Sequence, residues 1–152
     1  MPQNSDFQFN KKQVERLILM FQNMASTKYK RKAMHGISII MKNNILQHFR
    51  DEKGSDNRKW QPLSPRYAEW KRKKFGNKTI LRRRGKLYKS FQSSHSSKYA
   101  KVSTKIPYAK YHQYGTKRIP KRDFMYIDKK GIEDILKYTK EVFIESHLEA
   151  GK

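Results

Sequence analysis

Residues 59–76, KWQPLSPRYAEWKRKKFG, change conformation within one short stretch. A residue that precedes proline avoids the helical region, so Trp60, Pro62 and Leu63 form an extended segment. Ser64 then stands as a cap with Pro65 at the first helical position, which predicts a short helix through about Lys74. Upstream, Met34, Ile37, Met41, Ile45 and Phe49 recur at three- and four-residue spacing, widened by Ile40 and Leu46, and make one face of a long helix. Gly36 near its start costs about 1 kcal/mol against alanine, unless it marks close packing or a break. Earlier still, Asn10 caps a helix whose apolar face is Val14, Leu17, Ile18 and Phe21, and STKYKRK (residues 26–32) is a basic link between the two. Residues 1–10 are a loose lead-in, and residues 51–59 are a polar loop.

Downstream, a second short helix is expected from Arg84 to Phe91, with Leu87, Tyr88 and Phe91 on one side. The serine cluster 93–97 is expected as a turn, followed by an alternating strand from Tyr99 to Thr104. PYAKYHQYGT (residues 107–116) is a short aromatic segment closed by Gly115, and a further strand is expected around Phe124–Ile127. Ile132, Ile135, Leu136, Thr139, Val142 and Phe143 give a terminal helix its apolar face. The expected fold is α+β: a single domain over residues 1–152, with long N- and C-terminal helices packed around a small antiparallel sheet and short helices between.

Composition narrows the function classes. The chain has 152 residues, 36 Lys and Arg against 13 Asp and Glu, and a net charge of +23. Such a field calls for a polyanion, an acidic protein or an assembly that tolerates it. Aromatic residues make up 12%, more than a disordered basic tail carries, so most of the chain should fold. With no cysteine, disulfide frameworks, thiol catalysis and cysteine-ligated zinc are excluded. The apolar runs are too short for a membrane span or a signal-peptide core, and a soluble protein with no membrane partner is expected. The charge is uneven: residues 70–122 contain 18 Lys and Arg and no acid, whereas residues 123–152 contain seven acids and five bases.

No catalytic constellation can be read in the chain. His35, His48, His95, His112 and His147 include no pair at helical metal-ligand spacing, and the acids of RDEKGSDN lack the ligand alternation of a calcium loop. No glycine-rich phosphate loop precedes a helix, and Ser64 has no nucleophile-elbow context. No enzyme activity, metal or other cofactor is therefore expected. WKRKKFG and ILRRRGKLYKSF interleave cations with aromatics, as a phosphate-tracking and base-stacking surface does. The plainer reading is that these cations coat the exposed faces of short helices; a third is a seam against an acidic protein. Lys71, Arg72, Lys73, Lys74, Arg82, Arg83 and Arg84 are the candidates for a surface facing a partner or DNA. If the three consecutive arginines lie on a helix they spread over about 300°, so at least two reach solvent or a partner.

Four short motifs follow one another in order: Trp60, Pro62 and Leu63; Ile80, Leu81, Gly85 and Leu87; Tyr108, Ala109, His112, Gln113 and Gly115; and Ile119, Pro120, Arg122 and Phe124. In this order and spacing, over about residues 58–128, the chain resembles the phage virion morphogenesis (tail completion) family. It departs from the family's pattern at SDNRK before Trp60, where Pro-Asp-Gly is frequent, and at Asp123, where proline is frequent. The strong basic excess is a third departure.

Read as residues, the motif positions are structural: Trp60 and Leu63 anchor a loop on the core, and Gly85 and Gly115 permit positive φ or close backbone approach. His112 and Gln113 are expected to satisfy backbone groups, and Pro120 to stiffen the approach to the last strand. The resemblance implies a non-enzymatic assembly subunit acting in tail completion and head-tail joining as a ring oligomer. Its partners would be copies of itself and other phage neck, tail or connector proteins, with DNA contact along the basic stretch. It also implies the bacterial host cytoplasm during assembly, then the virion neck or tail. The alternative from composition is a basic nucleic-acid-binding protein; a basic nuclease is third.

Overall fold

Asn10 opens the first helix with both halves of a capping box: its side chain accepts from Lys12 N, and Gln13 Oε1 accepts from Asn10 N. The computed structural model describes residues 10–152; the expected lead-in, apart from Asn10, lies outside the described residues. In chain order the elements are helices α1 (Lys11–Gln22), α2 (Thr27–Asp51), α3 (Pro65–Phe75) and α4 (Lys86–Lys89), strands β1 (Gln92–His95) and β2 (Ala100–Ser103), and helices α5 (Ala109–Tyr114) and α6 (Lys129–Ala150). The strands pair as a two-stranded antiparallel sheet, and the fold class is α+β.

Four sequence expectations need correction. The basic link is not a link, because α2 already begins at Thr27 and its residues Tyr29 and Ala33 are core. The serine cluster is not a turn at its start: residues 93–95 lie in β1, and the chain turns at 96–99, where Ser96 N donates to Tyr99 O. Arg82–Arg84 lie in a bend ahead of α4, not on a helix. No strand forms at 124–127; Phe124 N and Met125 N both donate to Gln113 Oε1 at 3.0 Å, so a side chain serves the backbone that a neighbouring strand would have served.

The chain divides into two compact units. The first holds residues 45–92 and 103–126, including the C-terminal end of α2, α3, α4 and α5. Its core is aromatic. Phe49, fully buried, meets Trp60 edge-on at 5.7 Å between centroids, Tyr88 at 5.8 Å, Phe91 at 5.7 Å and Phe124 at 5.0 Å. Offset and edge-to-face rings at such separations add to the area they bury.

The second unit holds residues 10–44, 93–102 and 127–152 of the described chain. There Met24, Tyr29, Ala33 and Val142 form a core cluster, with Phe21, Tyr138 and Phe143 packed against it. Its close approaches use small residues. A Cβ on Gly36 would meet the Tyr138 ring, and one on Gly131 would stand 2.7 Å from the Asn44 side chain. Gly36 therefore marks close packing rather than a break. The buried Ser38, Thr139 and Ser146 hydroxyls bond within their own helices, as Thr139 Oγ1 does in donating to Ile135 O at 2.7 Å.

Candidate functional site

The first unit contains a cleft of about 870 Å³. One side is the extended segment Gln61–Ser64 with Tyr67 and Lys71 of α3. Another runs from Leu81 to Leu87, and a third combines Tyr108 and His112 with Arg118–Pro120 and Arg122. All four sequence motifs thus contribute to one concavity. No Asp or Glu lines it.

The walls are held by cations turned inward. Arg122 is 6% exposed; its Nε donates to Gln61 O at 2.9 Å and its Nη2 to Pro62 O at 3.3 Å. It thereby ties the strandless 119–126 segment to the Trp60–Leu63 segment. Trp60 is 5% exposed, and its indole Nε1 donates to Asp123 O at 3.0 Å. Leu63 is only half-buried and belongs to the cleft as much as to the core.

Lys71 is the clearest displacement among the candidate partner-facing residues. It is 4% exposed, and its Nζ donates to Lys78 O at 2.8 Å and Thr79 O at 2.6 Å. Burial holds its pKa below the usual lysine value, opposed by the charge of Glu52 and assisted by that of Lys78. Glu52 meanwhile accepts from Ile80 N at 2.6 Å, so one acid and one base pin the same loop.

The other candidates differ in their surroundings. Arg72 is exposed, Lys73 pairs with Glu69 at 2.8 Å along α3, and Lys74 lies over the Trp70 ring. Arg82 is half-buried with its guanidinium 4.1 Å from the Tyr88 centroid, a cation–π contact. Arg83 and Arg84 are exposed, line the cleft and lie 5.7 and 5.8 Å from the Phe75 centroid. Lys86 and Arg118 join them in the cleft, and no composition or spacing singled these two out.

The glycines of the motifs have definite roles. Gly85, at φ +76°, is the left-handed residue that opens α4. Gly115, at φ +74°, closes α5, and a Cβ there would lie 2.9 Å from Lys121 N. Leu87 and Ala109 are buried between these turns. Gln113 satisfies two backbone donors as described above, but His112 does not act as expected. Its Nδ1 is buried with no partner, and only its backbone carbonyl serves, accepting from Arg122 N at 2.8 Å. Burial, then the neighbouring Arg122 charge, holds the imidazole pKa below its ordinary value. Among the described residues, no group of three or more His, Asp or Glu side chains is placed to hold a metal ion, and no helix is long and apolar enough to cross a membrane.

The model of the phage virion morphogenesis family matches residues 10–143. The chain belongs to this family. No curated protein and no solved structure matches it. Membership gives the protein a part in the assembly of phage virions, and it extends the resemblance from the 58–128 motifs to α1, α2 and most of α6. Asp123 and the loop before Trp60 meet in space. Asp123 Oδ2 accepts from Ser55 N at 3.0 Å, and Gly54 leaves room for that carboxylate.

Proposed function

We propose that this protein of the virion morphogenesis family is a non-enzymatic subunit that completes the tail and joins it to the head, acting as a ring in the host cytoplasm and then in the neck or tail. The observation that carries this reading is the family match over residues 10–143, in which the motif residues meet as loop anchors, turn glycines and cleft walls. A ring built from one chain uses head-to-tail contacts that close by rotation. The basic excess of residues 70–122 supports partners that are acidic phage neck, tail or connector proteins.

The test is a gene deletion complemented in trans, with particles viewed by electron microscopy and the pure protein sized by light scattering. Filled heads and unjoined or incomplete tails in the deletion support the reading, as does a defined oligomer. Whole, infectious particles without the protein would overturn it. Divalent-metal-dependent cleavage of DNA by the pure protein would overturn its non-enzymatic part.

One observation favours a second reading, binding of nucleic acid. Tyr111 and Tyr114 of α5 are exposed beside Lys110, an arrangement that suits base stacking with phosphate contact. That reading requires DNA affinity that falls steeply with salt.

A further inference from the structure

The cleft of the first unit combines two chemistries. Arg83, Arg84 and Arg118 line it with exposed guanidiniums, and Leu63, Leu81 and Ile119 line it with aliphatic surface. Among the described residues no carboxylate pairs with any of the three arginines, and none lines the cleft. We propose that this cleft receives an acidic segment of a partner protein in which carboxylates alternate with aliphatic side chains.

Three features choose a peptide over a nucleic acid. The cleft's volume, about 870 Å³, lies in the range that encloses a small ligand or a few side chains, whereas a duplex presents its phosphates on a far broader surface. Phosphates would neutralise the arginines but offer nothing to the leucines and the isoleucine, while an extended acidic–aliphatic segment satisfies both. The wall is also tied together: Arg122 already spends its donors on the Gln61 and Pro62 carbonyls of the wall, and Lys71 spends its own on the Lys78 and Thr79 carbonyls behind it, so the exposed cations project from a braced frame. The inference rests on the assembly reading only for the partner's being another virion protein.

Fluorescence anisotropy on the full chain tests it, with a labelled octapeptide alternating glutamate and leucine as probe. Its glutamine–leucine analogue and single-stranded oligothymidylate serve as competitors. The acidic peptide should bind, and the neutral analogue should bind about tenfold or more weakly. Arg83→Gln/Arg84→Gln/Arg118→Gln should lose about tenfold or more at unchanged melting temperature. Lys98→Gln/Lys101→Gln/Lys105→Gln removes the same charge outside the cleft and should leave binding within about twofold. Equal losses in the two triple variants would overturn the proposal, as would absence of peptide binding, or oligothymidylate displacing the peptide and binding more tightly through the same arginines. In the particle assay, the cleft variant separates the two ideas. If it loses the peptide yet completes particles normally, the cleft is overturned as the partner contact and the assembly reading stands. Whole particles in the deletion overturn the assembly reading, and the binding data alone then decide the cleft.

Discussion

His112 carries a pH dependence whose sign follows from its surroundings. Burial and the Arg122 charge lower its folded pKa below the unfolded value, so as pH falls through about 6.5 the unfolded chain takes up the proton first. Its contribution to stability is therefore fully present above that value and is lost as pH drops towards the folded pKa, with a slope of at most about 1.4 kcal/mol per pH unit. Urea midpoints should fall between neutral pH and pH of about 5.5 in the parent, and fall less in His112→Phe. Equal slopes would remove this account. Trp60 makes a second prediction. It joins the Phe49 cluster and the Asp123 carbonyl, and Trp60→Ala should cost about 3–5 kcal/mol in chemical denaturation. Arg122→Met keeps the bulk of the side chain but leaves the Gln61 and Pro62 carbonyls unpaired, at about 1–3 kcal/mol.

Helix packing explains why a glycine sits within α2. Gly36→Ala would gain about 1 kcal/mol of helix propensity, but its methyl would collide with the Tyr138 ring, whose hydroxyl donates to Lys32 O at 3.2 Å. In the parent the substitution should be neutral or destabilising; in a Tyr138→Ala background it should stabilise by about 1 kcal/mol. A double-mutant cycle of thermal unfolding without coupling would contradict the contact. The C-terminal end of α5 behaves differently, because a Cβ on Gly115 would press on backbone at Lys121 while φ is positive. The helices were the most legible elements in the sequence: the cap at Asn10, the Ser64–Pro65 start of α3 and the periodic faces of α2 and α6 are local signals. The segment 124–127 was not legible. Its apolar residues look like a strand, yet Gln113, eleven residues before Phe124, takes the backbone donors.

Across the molecule, a net charge of +23 means that folding works against self-repulsion. Salt screens exposed charges over about 10 Å at 0.1 M, so the melting temperature should rise with added sodium chloride before any specific salt effect enters. The arginine triplet should divide. Arg83→Gln/Arg84→Gln should leave the chain as stable as the parent or slightly more so, because both guanidiniums are exposed. Arg82→Gln should cost about 0.5–1 kcal/mol, since it removes the stack on Tyr88. Scanning calorimetry of the two variants checks both, and an identical effect would show that the stack adds nothing.

Local chemistry was enough to determine the starts of α1 and α3, the turns at Gly85 and Gly115, the Trp60 anchor, the basic mid-chain and the family. Each depends on residues a few positions apart, or on a short ordered motif, and so survives without knowledge of the tertiary contacts. The tertiary structure decided which cations are free. Lys71 and Arg122 are as basic in sequence as Arg84, but carbonyls from loops 7 and 61 residues away bury their charge. It also placed Lys86 and Arg118 beside Arg83 and Arg84 in one cleft, and joined Asp123 to Ser55. Such pairings arise when loop closure brings distant segments together around the aromatic core of the first unit at Phe49, which no local pattern encodes.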